Sequence, residues 1–132
     1  MTTHPVFVYG TLRPGAHNNR AAQRLLREAK PLGPAWLQAR LYRIHWFPGV
    51  ILSDDPTDQV RGDLFALPAR GNLLTALDVF ERYDPKRPKR GDFRRDLHQV
   101  LTETGAAKAW VYTYHGPISQ SARVLSGDFL AR

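Results

Sequence analysis

The chain has 132 residues, no cysteine and a formal net charge of +7. This length is typical of one domain that buries a core without metals or disulfides, so we predict a single domain over residues 1–132. The lack of cysteine excludes disulfides, thiolate catalysis and cysteine-ligated zinc, and a cytoplasmic location suits it best. Residues 1–5 show no leader pattern and no apolar run is long enough to span a bilayer, so we expect neither secretion nor a membrane partner.

The first third of the chain predicts a strand, a helix and a second strand. Residues 6–9 are apolar and strand-like, and the chain then breaks at Gly10 into residues that favour turns. Asn18 or Asn19 is a candidate cap for a following helix, which Pro31 and Gly33 are expected to end. Beyond it, apolar residues alternate with polar ones from 35 to 44, which predicts one half-buried strand. The alternating apolar residues are Ala35, Leu37, Ala39 and Leu41.

The rest of the chain predicts mostly strands with one further helix. Residues 47–49 predict a turn, 50–52 a short apolar run, 53–58 a polar loop and 60–67 a strand in which Gly62 marks a bulge or a close backbone approach. Residues 72–83 predict a helix that Asn72 caps, and 93–101 with 108–114 predict a hairpin. This order favours an α+β domain with a small mixed-sheet, barrel-like architecture and a few flanking helices.

Glu81 occupies an unexpected position in the second predicted helix. At roughly 100° per residue, it lies about 20° from Leu74, on the apolar stripe of the helix. Burial raises the pKa of a carboxyl group, as a general base that works near neutrality requires. Alternatively, Glu81 reaches the edge of the core or pairs with a nearby arginine such as Arg82, Arg94 or Arg95. Asp78 is a weaker candidate that we expect to be half exposed.

Other motif classes are missing from the chain. It has no Gly-x-Ser-x-Gly elbow, phosphate-binding Walker loop or dinucleotide fingerprint. The five histidines share no metal-ligand spacing, so we predict no metal and no other cofactor. The three tryptophans lie in or beside strand-like segments and are interpreted as core residues. Residues 82–95 include seven basic and two acidic residues. Because aromatic residues are not interleaved with the basic ones, the pattern favours a solvated loop over a nucleic-acid site.

Two motifs in sequence order resemble those of the gamma-glutamylcyclotransferase-like family. Residues 9–12 read Tyr-Gly-Thr-Leu after the first strand, and residues 77–83 read Leu-Asp-Val-Phe-Glu-Arg-Tyr. The family typically shows Tyr-Gly-Ser/Thr-Leu and later Leu-Asp-x-x-Glu-Gly-Tyr. The resemblance runs from about residue 6 to residues 126–129. Two positions depart from it, since Arg82 stands where the family often has glycine and Asp63 where glutamate is common.

The resemblance implies a mixed α/β fold around a small barrel and an enzyme that releases a gamma-glutamyl group as 5-oxoproline. Carried over by residue, Tyr9, Gly10, Thr11 and Leu12 would bind a small-molecule gamma-glutamyl substrate, and Glu81 would be the catalytic acid/base. The alternatives are a non-catalytic module that binds a similar small molecule and, less favoured, an anion- or nucleic-acid-binding protein that uses residues 82–95. The sequence does not indicate the oligomeric state.

Overall fold

The computed structural model describes residues 4–10, 19–44, 47–119 and 122–130. Within these ranges the chain forms seven strands and two helices. In chain order they are β1 (Val6–Val8), α1 (Arg20–Glu28), β2 (Lys30–Leu37), β3 (Ala39–Arg43), β4 (Pro48–Leu52), β5 (Val60–Ala66), α2 (Leu73–Phe80), β6 (Phe93–Thr102) and β7 (Gly105–Tyr114). Neither helix has the length and apolarity that crossing a bilayer requires.

Five strands form a closed barrel in the order β1-β5-β2-β6-β7. Neighbouring strands are antiparallel except β1 and β7, which are parallel and close the barrel where Val6 pairs with Trp110. Strands β3 and β4 form a separate antiparallel ribbon. The α+β fold with a mixed, barrel-like sheet that the sequence predicts is therefore confirmed.

The prediction of one continuous strand over residues 35–44 is wrong. The alternation itself holds, because Ala35, Leu37, Ala39 and Leu41 are all buried. The chain breaks at Gln38, however, so the first two belong to the barrel strand β2 and the last two to the ribbon strand β3. The alternation of buried and exposed residues continues across the bend, so the pattern alone does not reveal that the chain changes sheets.

The first helix ends earlier than Pro31 and Gly33 suggest. Asn19 caps α1 as predicted, since its side chain accepts a hydrogen bond from the Ala22 N–H at 2.8 Å. Pro31 and Gly33 lie inside β2, where the register shifts between them. This part of β2 pairs with β5, whereas β6 joins β2 only at Ala35 and Trp36. Proline has no N–H to donate, so it is tolerated in this part of β2, where β6 does not pair with the strand.

The core has two parts that β1 separates. Val6 and Val8 pack with residues of both helices, whereas Phe7 and Tyr9 pack with residues of the barrel strands and the ribbon. Successive residues of a strand point to opposite faces, so this short strand contributes to both parts. A Cβ atom at Gly62 would lie 2.5 Å from the Phe7 ring and from the Val8 carbonyl oxygen. The glycine thus permits the close approach of β5 to β1, as predicted.

Two further predicted elements, the turn at residues 47–49 and the second helix, differ from the structure by a few residues. Pro48 and Gly49 lie in β4 and not in a turn, and residues 45 and 46 lie outside the described residues. The second helix ends at Phe80, three residues before the predicted end. Asn72 precedes it without a side-chain capping bond, and its side-chain oxygen instead accepts a hydrogen bond from Arg24 at 2.9 Å. The hairpin of β6 and β7 is confirmed, with Thr102 paired to Gly105 across the turn.

Candidate active site

A cavity of about 630 Å³ opens beside the C-terminal end of α2. Its walls come from residues 7–10 at the end of β1, residues 47–48, residues 80–82 at the end of α2, residues 90–93 and Tyr112 of β7. This volume lies within the range of sites that bind small molecules. Glu81, Tyr9 and Gly10, which the sequence motifs single out, all line this one cavity.

Glu81 is the first residue after α2, and its N–H donates to the Leu77 carbonyl at 2.9 Å. Its side chain is half-buried at the cavity and forms no ion pair with any other described residue. Removal from water, together with the negative charge of Asp78, raises the pKa of the Glu81 carboxyl to about 7. A carboxyl group with a pKa near 7 has the chemistry that a general acid/base needs at neutral pH.

The backbone around Arg82 ends the helix and turns Glu81 toward the cavity. The Tyr83 N–H donates to the Asp78 carbonyl at 2.8 Å, and the Arg82 N–H donates to the Val79 carbonyl at 3.1 Å. This pair of bonds is the Schellman motif. It places Arg82 at a φ of 57°, in the left-handed region where glycine is favoured. The arginine that departs from the family motif thus occupies the one non-glycine position with positive φ among the described residues.

Asp78 is buried, with 4% of its surface exposed, so the expectation of half exposure is wrong. Arg95 holds it through two hydrogen bonds, of 2.7 Å from Nε to Oδ1 and 3.1 Å from Nη2 to Oδ2. The Tyr112 hydroxyl donates a third bond to Oδ1 at 2.7 Å. Arg95 is thereby committed to Asp78 and not to Glu81. Burial, followed by the bond to Asp78, raises the pKa of the Tyr112 hydroxyl well above its usual range.

Tyr9 connects the first strand to this network. Its buried hydroxyl donates a hydrogen bond to the Tyr112 carbonyl. Burial, followed by the charge of Glu81, raises the pKa of Tyr9 well above its usual value, so the phenol remains protonated. A Cβ atom at Gly10 would lie 2.6 Å from Cγ of Pro48, so glycine is required there for packing. Thr11 and Leu12 lie outside the described residues, and their contribution stays a prediction.

Sequence reasoning did not identify Tyr112, Arg95 or Arg90 as members of this region. Arg95 was considered only as an ion-pair partner of Glu81 and as part of the basic segment 82–95, and Tyr112 only as a strand residue. Trp36 and Trp110 were expected in the core, but both are half-buried, with the guanidinium groups of Arg61 and Arg95 over their rings. Trp46 lies outside the described residues. In the part of the chain that the structure describes, no three histidine or acidic side chains are grouped to hold a metal ion.

Comparisons with known proteins agree with this architecture. Residues 6–131 match the family model described as gamma-glutamyl cyclotransferase, AIG2-like. A protein of Vibrio cholerae named "Putative gamma-glutamylcyclotransferase" is 30% identical over 98% of this chain and 97% of its own length. An AIG2-like protein of Mus musculus has a similar structure, with a TM-score of 0.69, 20% identity and coverage of 92% of this chain and 83% of that one.

YkqA of Bacillus subtilis shares the fold as well, with a TM-score of 0.70 and 21% identity, over 96% of this chain and 39% of its own. The match to the family model spans nearly the whole chain, and it includes both motifs and the cavity residues between them. This protein belongs to the gamma-glutamyl cyclotransferase, AIG2-like family.

Proposed function

We propose that the protein is an enzyme that cyclises a gamma-glutamyl amine or amide and releases 5-oxoproline and a free amine, with Glu81 as general acid/base. The observation that carries the proposal is the Glu81 carboxyl, which forms no ion pair with any described residue and whose pKa is raised to about 7 at the wall of a cavity of small-molecule size. Perturbed carboxyl groups in clefts are frequent at catalytic sites. Family membership supports the same reaction class.

The reaction needs one group that moves a proton in both directions. The alpha-amino nitrogen of the substrate attacks its own gamma-carbonyl carbon and gives up a proton to the Glu81 carboxylate. The bond from that carbon to the departing nitrogen then breaks, and the Glu81 carboxylic acid returns the proton to this nitrogen. No water is consumed and Glu81 ends as it began. A pKa near the working pH serves both steps.

The nucleophile belongs to the substrate, so the enzyme needs no serine or cysteine nucleophile. Cyclisation is intramolecular, and holding the gamma-glutamyl chain in a folded conformation is worth up to roughly 7 to 11 kcal/mol in well-oriented systems. In this proposal Tyr9 and Gly10, with the predicted contribution of Thr11 and Leu12, bind the glutamyl half. In general, the backbone N–H groups of a glycine-containing turn bind a carboxylate or a developing oxyanion.

Asp78 is excluded from the proton-transfer role by its partners. Its oxygens accept three hydrogen bonds, from Arg95 and Tyr112, and its side chain is buried. Through Tyr112 the same network reaches Tyr9, so it joins the helix that precedes Glu81 to the end of β1. Asp78 therefore acts as a positioning residue, and its charge also raises the pKa of Glu81.

The test is to incubate the purified protein with a panel of gamma-glutamyl amines and gamma-glutamyl dipeptides and to measure 5-oxoproline. We expect product from wild type and its loss in Glu81→Gln. Glu103→Gln is the matched control, because Glu103 is exposed in the hairpin turn far from the cavity. Thermal stabilisation by these compounds without product would contradict turnover and favour a non-catalytic binding module.

A further inference from the structure

The exposed side of the cavity carries two arginines. Arg82, Arg90 and Asp92 line it and are exposed, whereas Tyr9, Phe93 and Tyr112 form buried parts of its wall. Neither arginine forms an ion pair with another described residue. The exposed wall of the cavity therefore includes two arginines and one aspartate, and neither arginine has an ion-pair partner among the described residues.

Local structure brings these two arginines to the same opening. After the helix ends, the chain forms consecutive turns in which the Arg87 N–H donates to the Asp84 carbonyl at 2.9 Å and the Arg90 N–H donates to the Arg87 carbonyl at 3.1 Å. These turns fold the chain back onto the helix end. A Cβ atom at Gly91 would lie 2.9 Å from the Arg82 carbonyl oxygen, so glycine permits the contact.

The chemistry of guanidinium groups indicates what they bind. The planar fork of arginine matches the two oxygens of a carboxylate and stays charged at every relevant pH. The surrounding segment, residues 82–95, has seven basic and two acidic residues, so its local charge is +5. Such a field attracts anionic ligands to the opening of a cleft.

We propose that Arg82 and Arg90 select substrates whose amine half carries a carboxylate. This inference rests on the proposed function and extends it to the substrate class. Because Glu81 protonates the departing nitrogen, that nitrogen lies within hydrogen-bond reach of Glu81, and Arg82 is the next residue in the chain. The glutamyl half is assigned to the β1 end of the cavity, so the amine half faces the exposed side that contains the two arginines.

The test compares two substrates that differ only in this charge, gamma-glutamyl-alanine and gamma-glutamyl-alaninamide. We expect wild type to prefer the carboxylate by about tenfold in kcat/KM, as two exposed charge-assisted contacts allow. Arg82→Gly with Arg90→Ala should abolish the preference. Glycine at position 82 relieves the positive φ, so the variant is expected to fold. Lys86→Ala with Lys89→Ala removes the same charge from exposed residues of the segment that do not line the cavity, and should retain the preference.

Equal loss of kcat/KM for both substrates in the arginine variant would overturn the inference. So would a wild type that does not prefer the carboxylate substrate, or an arginine variant that keeps this preference. If wild type releases 5-oxoproline from neither substrate and from no other compound of the panel described above, the proposed function fails. Calorimetric binding of the same two compounds to Glu81→Gln then decides the inference alone. Tighter binding of gamma-glutamyl-alanine that depends on the two arginines supports it, and equal or absent binding contradicts it.

Discussion

Asp58 and Glu81 are two carboxyl groups of the same molecule with opposite surroundings. Asp58 accepts hydrogen bonds from Ser53 at 2.6 Å, from Arg40 at 2.8 Å and from Arg123 at 2.8 Å, which lower its pKa to about 2. Glu81 has no described ion-pair partner and stands at a cavity, where burial raises its pKa to about 7. The first group is fixed as a permanent anion, and the second is free to change its charge.

We propose that this difference separates a structural role for Asp58 from a reactive role for Glu81. Asp58 connects β3, the loop after β4 and the C-terminal segment that contains Arg123, so its bonds hold three parts of the chain together. A carboxylate with every oxygen occupied gains nothing from accepting a proton near neutrality. Glu81 has an available carboxyl beside space for a ligand. Substitutions at the two positions should therefore differ in which property they change.

The largest expected effect is on catalysis. Glu81→Gln should reduce kcat/KM for a gamma-glutamyl substrate by about 10² to 10⁴, the usual contribution of a general acid/base. Asp58→Asn should leave kcat/KM within a few-fold of wild type while lowering thermal stability. Steady-state release of 5-oxoproline and a thermal melt of each variant provide the measurement. Similar catalytic losses in both variants would contradict the division between the two carboxyl groups.

Asp78→Asn should cause the largest loss of stability. It leaves the half-buried Arg95 beside a neutral amide, and breaking its pair with the buried Asp78 costs up to about 3 to 5 kcal/mol. With the negative charge gone and the arginine unpaired, the pKa of Glu81 should fall. Denaturant unfolding measures the first effect and the pH dependence of kcat/KM the second. An unmoved pH profile in a folded variant would show that Asp78 does not tune Glu81.

The stability of Glu81→Gln relative to wild type should depend on pH. The folded protein holds a proton at Glu81 more tightly than the unfolded chain does, so the neutral glutamine and the neutral acid are similar below about pH 4.5. As the pH rises through about 7, the free energy of unfolding of wild type falls by up to about 2 to 3 kcal/mol for this partly exposed group, whereas that of the variant does not change. Urea unfolding at pH 4.5 and pH 8.5 tests this.

The contribution of Asp58 should have the opposite sign. Its pKa is lowered in the folded state, so its stabilising contribution is present above about pH 4 and is lost as the pH falls through about 2. Wild type should therefore exceed Asp58→Asn in stability at neutral pH, and the gap should narrow in acid. Acid unfolding of the two proteins measures the gap, and a constant difference from pH 2 to pH 7 would argue against this role.

The smallest expected effect concerns the residue after Glu81. Arg82→Gly should raise the free energy of unfolding by about 1 kcal/mol, since glycine adopts positive φ without the steric cost of a Cβ atom. For a chain of this size that gain corresponds to roughly 3 to 5 °C in Tm. Arg82→Ala removes the same guanidinium but keeps the Cβ atom, so no such gain is expected. Equal melting temperatures of the two variants would refute the backbone explanation.

Helix periodicity predicted that Glu81 faces the core, and the structure has it half-buried at the cavity, directly after α2 ends at Phe80. That prediction needed only residues within about two turns along the chain. The burial of Asp78 was missed for the opposite reason. Its partners Arg95 and Tyr112 lie 17 and 34 residues away in sequence, on β6 and β7, and only the closed barrel brings them to it.

Element boundaries show the same limit. The apolar alternation identified the buried positions of β2 and β3 but did not reveal the bend at Gln38, because both strands keep one phase. Pro31 and Gly33 were taken as helix terminators although they lie in β2, where an unpaired edge and a register shift accommodate them. The roles of Thr11 and Leu12, the single domain and the cytoplasmic location stay predictions.

The most direct measurement is the pKa of Glu81 itself. Glu28, Glu81 and Glu103 are the three glutamates of the chain, so a protein labelled with 13C at the glutamate carboxyl gives three signals to follow by NMR as the pH changes. We predict that one signal titrates near pH 7 and is missing from Glu81→Gln. If the signal that disappears in this variant titrates near 4.5 in wild type, Glu81 is an ordinary surface carboxylate and the account of the site is wrong.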